Sequence, residues 1–216
     1  AAGGYISDAV RALDYLTDLK ARHGIELAAI NSSWTGGGHS QSLADAIDRA
    51  GDADILVVAA AGTDGSDVDV DPVYPGAYAC TTRADGAPRG WDCVISVAGL
   101  RRDGTLASDS NWGHTTVDLA APGTEIVSTH PGDDGYASYS GTSMAAPHGA
   151  GAVALCASTA PGLSARRMRE LVLDSTEPTP SLAGRTRTGG RLDIGSLLER
   201  CAPKPPPTPR PVLVDE

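Results

Sequence analysis

Ser143 is the residue whose surroundings best suit covalent chemistry. It lies in Ser140–Cys156, which reads Ser-Gly-Thr-Ser-Met-Ala-Ala-Pro-His-Gly-Ala-Gly-Ala-Val-Ala-Leu-Cys. Gly141 and Thr142 read as a tight turn, and the residues after them are almost continuously small and apolar. A helix that is apolar on every side is a buried one. Pro147 fits such a helix only near its start, where a missing N–H costs least. The pattern therefore puts Ser143 at the mouth of a buried central helix. Free N–H groups and the positive end of the helix dipole converge there and favour a developing negative charge. A serine so placed can attack a carbonyl while its own N–H holds the oxyanion. The same position also suits a plain N-cap, the commonest job of a serine before a helix.

Gly141-Thr142-Ser143-Met144-Ala145-Ala146-Pro147-His148 is a longer phrase than a cap requires. It resembles the nucleophile motif of the subtilisin-like serine proteases at eight consecutive positions, and the likeness runs from about Asp8 to Ser196. The resemblance implies that Ser143 is the nucleophile and that His148 belongs to the helix body. It also implies a three-layer α/β fold, a mostly parallel sheet with helices on both faces, here lacking the N-terminal strands.

Two glycine-containing loops extend the resemblance. Asn31-Ser32-Ser33-Trp34-Thr35-Gly36-Gly37-Gly38 resembles the Ser-x-Gly-Gly segment that pairs with extended substrate. Such pairing is strand addition, with side-chain pockets choosing among peptides. Ser33, Trp34, Thr35 and Gly36 would then line a cleft, with Thr35 standing where many members have glycine. Read without the resemblance, the segment is a glycine-rich surface turn. Ala59-Ala60-Ala61-Gly62-Thr63-Asp64-Gly65 resembles the family's Ala-Ala-Gly-Asn segment. Ala60 and Gly62 would border substrate, and Thr63 takes the place of the asparagine that donates to the oxyanion. A threonine hydroxyl is a donor on a shorter arm. Pro75-Gly76-Ala77-Tyr78 resembles a segment near the specificity pocket, and Asn111 through Thr124 resembles scaffold.

A serine nucleophile needs a base, and the base needs an orienting group. The family draws these from an Asp-Thr/Ser-Gly strand end and a His-Gly-Thr-His helix start, and neither phrase occurs here. His23, His39, His114, His130 and His148 all lack such neighbours and read as surface or packing histidines. The chain is therefore expected to be the C-terminal two-thirds of a peptidase domain, beginning after processing or truncation. Its sheet is expected to keep an unpaired apolar edge or a gap. The expected function is peptide-bond hydrolysis through an acyl-enzyme, with the portion in hand inactive alone. The rival reading is a non-catalytic peptide-binding or structural module.

Composition sets the limits. A chain of 216 residues holds one good core. The net charge of −10 argues against nucleic acid as a partner and disfavours anionic membranes. No apolar run is long enough to span a bilayer, and Ala1-Ala2-Gly3-Gly4-Tyr5 has no signal-peptide character. Asp64, Asp67, Asp69 and Asp71 form an acidic run without the glycine and closing glutamate of a calcium loop. It reads as a solvated loop, with calcium as the alternative and no other cofactor expected. Four cysteines match no zinc spacing. Cys80 and Cys93 flank a polar loop they can close. Cys156 either stays a buried thiol or reaches Cys201. An acidic, lysine-poor, loop-rich chain with such cysteines reads as secreted.

The elements that position Ser143 follow from periodicity. Helices are expected over Tyr5–His23, Ser40–Ala50, Ser164–Asp174 and Asp193–Cys201. Strands are expected over Glu26–Ile30, Ile55–Ala60 and Val94–Ala98, with shorter ones at Val117–Leu119 and Glu125–Ser128, and Tyr136–Ser140 leads into the serine turn. Continuous apolar strands alternating with helices signal a parallel sheet covered on both faces. Residues 1–201 form the expected domain. From Ala202 the composition turns to Pro-Lys-Pro-Pro-Pro-Thr-Pro-Arg-Pro, an extended tail or a linker to a downstream domain. The expected partner of the site is a polypeptide substrate.

Overall fold

The computed structural model describes residues 4–36, 38–131 and 135–202. The Pro-rich tail expected over 202–216 lies, from residue 203 on, outside the described residues. The main sheet takes β1 (Ala29–Ser32), β2 (Leu56–Ala60), β3 (Val94–Leu100) and β4 (Leu119–Pro122) side by side and parallel. Two-residue strands β7 (Glu177–Pro178) and β8 (Gly190–Arg191) extend it, with β8 parallel to β4 and β7 antiparallel to β8. A separate hairpin pairs β5 (Ile126–Thr129) with β6 (Tyr136–Tyr139).

Alternation in the central strands sends side chains to two helical layers. Leu56, Val58, Ile95 and Val97 face one side, where α3 (Thr142–Thr159), α4 (Ala165–Asp174) and α5 (Ile194–Cys201) pack. Val57 and Ala59 face the other, against α2 (Gln41–Asp52), which packs on α1 (Ile6–His23). This is the expected three-layer α/β arrangement. Strands β2 and β3 are buried throughout, which explains their unbroken apolar runs. Helix α3 is central because alanine and glycine let it approach the sheet closely: Ala145, Ala146, Ala152 and Cys156 are wholly buried.

The strands β1 to β4 are contiguous, so the sheet has an edge and no gap among the described residues. Strand β1 is that edge, with Ile30 and Ser32 buried and Asn31 exposed. Cys80 is bonded to Cys93, and Cys156 to Cys201, which ties α3 to α5. No helix among the described residues is long and apolar enough to cross a membrane.

Candidate active site

Helix α3 begins at Thr142, with Gly141 as its N-cap at φ 140°, a backbone state that suits glycine. Ser143 is therefore the second helical residue, and its N–H is one of the orphan donors of the first turn. The side chain is half-buried, and no group among the described residues hydrogen-bonds its hydroxyl. Pro147 falls sixth in the helix, later than the start the sequence pattern required.

Two of the expected loops meet this turn. Ser33, just past β1, donates from its hydroxyl to the carbonyl of Ser143 at 2.6 Å. Gly62, just past β2, donates its N–H to the hydroxyl of Thr142 at 3.0 Å. A side chain at Gly141 would begin 3.3 Å from Cγ2 of Thr63, so Thr63 stands beside the serine turn. Thr63 is exposed, whereas Ala60 and Gly62 are buried and offer no surface of their own. Thr35 and Gly36 are exposed, and Gly36 is anchored by its N–H to the Tyr74 carbonyl at 3.2 Å. Trp34 is half-buried and packs on the α1–α2 side of the core.

Asn111 holds the Thr63 loop in shape. It is fully buried, and its amide oxygen accepts from the N–H groups of Asp64 and Ser66 and from the Ser66 hydroxyl. Its amide nitrogen donates to the Ala61 carbonyl at 3.1 Å. Gly62 sits at φ 108°, and a Cβ there would lie 2.2 Å from that nitrogen. Sequence reading placed Asn111 only in scaffold. Its partners lie 45 to 50 residues away, and nothing in its own neighbourhood announces them.

The histidines do not supply a base here. Nδ1 of His148 lies 2.9 Å from the Met144 carbonyl of the preceding turn. His39 packs edge-on against Tyr74 and Tyr78, and His130 lies beside Tyr139. His23 and His114 are exposed. In the acidic run, Asp69 accepts hydrogen bonds from the N–H groups of Thr115 and Thr116 and from the Thr115 hydroxyl. Burial pushes its carboxyl up, but these bonds outweigh it and hold the group at about 2. Asp67 caps the Asp69 N–H at 3.0 Å. Among the described residues no three such side chains converge on a metal position.

The subtilase family model matches residues 2–193. The chain is 34% identical over 171 residues to Subtilisin-like protease 3 of Arthroderma benhamiae, covering 78% of this chain and 38% of that protein. It is 40% identical over 154 residues to an extracellular protease of Xanthomonas campestris pv. campestris, covering 68% and 24%. Against Subtilisin DY of Bacillus licheniformis the identity is 38% over 143 residues, covering 66% and 47%. The chain thus spans less than half the length of these relatives. Among solved structures, a protease of Pseudoalteromonas arctica superposes with a TM-score of 0.75 at 26% identity, over 93% of this chain and 60% of that one. A chain of the subtilase cytotoxin SubAB gives 0.77 at 26%, over 93% and 67%.

Proposed function

Because this chain belongs to the subtilase family, we propose that it is the serine-bearing part of a secreted serine endopeptidase, with Ser143 as its nucleophile. The observation that carries this reading is the half-buried hydroxyl of Ser143, unpartnered among the described residues, at the mouth of α3 beside the loops of Ser33 and Thr63. The Ser143 oxygen attacks a peptide carbonyl, and the tetrahedral oxyanion forms against the Ser143 N–H and the N-terminus of α3. In this reading Thr63 supplies the second donor once its side chain turns the hydroxyl, in place of the methyl beside Gly141, toward the oxyanion. Collapse expels the amine and leaves an acyl-enzyme, which water then hydrolyses.

An extended peptide adds along the segment Ser33, Trp34, Thr35 and Gly36, where Thr35 and Gly36 are open to solvent. Ala60 and Gly62 support that surface from behind. The proton of Ser143 needs a base, and none of the five histidines of this sequence is placed for it. The histidine and its orienting aspartate belong to residues outside these 216. The peptidase portion spans residues 1–201, with 202–216 as a tail or linker. Secretion agrees with the two disulfides and with one relative named an extracellular protease.

A fluorophosphonate probe tests the assignment. The chain alone labels slowly. Supplying a subtilase N-terminal segment with its aspartate and histidine raises the rate by about 10³ or more, and Ser143→Ala abolishes it. The missing base favours the second reading, a non-catalytic peptide-binding module. That reading prevails if the complemented, folded protein still fails to label.

A further inference from the structure

The loops after β1, β2, β3 and β4 lie in that order at one end of the sheet, where open parallel sheets bind ligands. Ser33 belongs to the first, Thr63 to the second, Arg101 to the third and Thr124 to the fourth. The third and fourth loops bound a cavity of about 530 Å³, with Arg101, Arg102, Asp103, Glu125 and Arg191 as the charged residues of its wall. A shallower extension carries Arg101 and Arg102 as far as Ser140, three residues before Ser143. Gly141 donates its N–H to the Gly123 carbonyl at 2.7 Å, and Gly123 donates to the Leu100 carbonyl at 2.9 Å. The cavity is therefore tied to the serine turn on the side away from Ser33.

Its charges are unevenly satisfied. Arg191 is paired with Glu177, and Asp103 accepts from the N–H and hydroxyl of Thr105. Arg101 donates to the Ser108 hydroxyl at 3.1 Å. Neither Arg101 nor Arg102 has a carboxylate partner among the described residues, although ten other arginines do. Arg185 and Arg200 also lack one, and Arg101 attracts the neighbouring Asp103 carboxylate without forming an ion pair; what marks this wall is two adjacent guanidinium groups held in no ion pair among the described residues, in a chain of net charge −10. Glu125 shares this lining with the two arginines. Its backbone sits at φ 55°, a left-handed state uncommon for residues other than glycine, and its N–H is held by the Ser140 hydroxyl at 2.9 Å.

We infer that this cavity receives a carboxylate of the peptide, on the stretch that has crossed Ser143 from the Ser33–Gly36 segment. The peptide's path rests on the reading of Ser143 given above. Guanidinium groups suit this ligand because they offer paired, charge-assisted hydrogen bonds. The carboxylate is either an acidic side chain or the peptide's own C-terminus.

The test is fluorescence polarisation of labelled decapeptides on the Ser143→Ala chain, so that binding is read without cleavage. One set scans a single glutamate along an amidated peptide, a second has glutamine instead, and a third is the glutamine peptide with a free terminal carboxylate. The best glutamate or free-carboxylate peptide should bind about tenfold tighter than its neutral counterpart, and the gap should shrink with salt. Which of the two gains names the source of the carboxylate. Arg101→Gln with Arg102→Gln should bring the ratio within about twofold, and Glu125→Gln should widen it. Both arginines are exposed, and an unchanged melting temperature shows that the fold is intact. Equal binding of charged and neutral peptides overturns the inference, as does a ratio that survives in the folded double variant. Labelling of Ser143 without acidic preference removes this inference alone. Acidic preference without labelling removes the endopeptidase reading alone.

Discussion

The hydroxyl of Ser33 donates to the carbonyl of Ser143 at 2.6 Å across 110 residues of sequence. That carbonyl would ordinarily accept from the N–H four residues on, but position 147 is proline and has none. Pro147 frees the acceptor and Ser33 takes it, which joins the edge strand to the serine turn. This is why a proline six residues into a buried helix is tolerated.

Ser33→Ala should cost about 1 kcal/mol, because it leaves the freed carbonyl without its protein partner. In a Pro147→Ala background the helix regains its own donor, and the same substitution should cost less than half as much. Chemical denaturation of the four proteins closes the double-mutant cycle. Equal costs in both backgrounds would show that the two residues are uncoupled.

Asn111→Ala should destabilise by about 3 kcal/mol, since it strips partners from several groups at once and leaves a cavity. Gly62→Ala should be comparably damaging, because its Cβ would collide with the Asn111 amide at a positive φ. In both variants amide exchange should rise first at residues 61–66. Protection unchanged there would mean that the loop holds its shape without Asn111.

The depressed Asp69 carboxyl makes stability pH-dependent. Its folded value of about 2 lies below the ordinary 3.8, so the unfolded chain takes up the proton first. The contribution is complete above about pH 4 and is lost as pH falls toward 2. Full linkage would give about 2.4 kcal/mol, and solvent exposure of the site cuts this to about 1 kcal/mol. Urea titrations between pH 2 and 5 should show Asp69→Asn with a flatter profile by that amount. Parallel profiles would assign the acid loss to other carboxylates.

Reduction should open the two disulfides with unequal effect. The Cys80–Cys93 loop spans 13 residues and the Cys156–Cys201 loop 45. Loop entropy then gives roughly 3 and 4 kcal/mol. Cys156→Ala with Cys201→Ala should therefore lower the melting temperature more than removal of the first pair. The reverse order would mean that the 81–92 loop, pinned to α2 by the Arg89–Asp52 ion pair, carries more of the fold than its length suggests.

What the sequence made legible follows the range of each interaction. The buried strands β2 and β3 announce themselves as unbroken apolar runs, and the eight-residue phrase around Ser143 fixes the serine turn. Strand β1 was expected at Glu26–Ile30 but runs Ala29–Ser32, because parallel pairing with Leu56–Ala59 sets its bounds. Strand β4 starts at Leu119, with Val117 packing in the loop before it, for the same reason. Strands β7 and β8 are two residues each and leave no periodic trace. The partner of Cys156 stayed open because helix packing brings Cys201 to it. Asn111 reads only as scaffold in the sequence because its whole role consists of contacts with a distant loop.

If Ser143 is the nucleophile, as proposed, position 63 governs whether the oxyanion has a second donor. It is exposed beside Gly141, and its methyl faces the turn that carries Ser143. An asparagine at this position would extend an amide donor farther than the threonine hydroxyl reaches. Loss of one oxyanion donor costs about 10² to 10³ in kcat, a range that comes from subtilisin, a relative of this chain. In a form supplied with its base, Thr63→Asn should therefore raise kcat by about tenfold or more with KM little changed, because the added bond forms only in the transition state. Thr63→Val should lower kcat if the hydroxyl already donates, and should leave it unchanged if the oxyanion rests on the α3 N-terminus alone. A rise in KM without a gain in kcat for Thr63→Asn would place the longer side chain in the path of the substrate, and the oxyanion elsewhere.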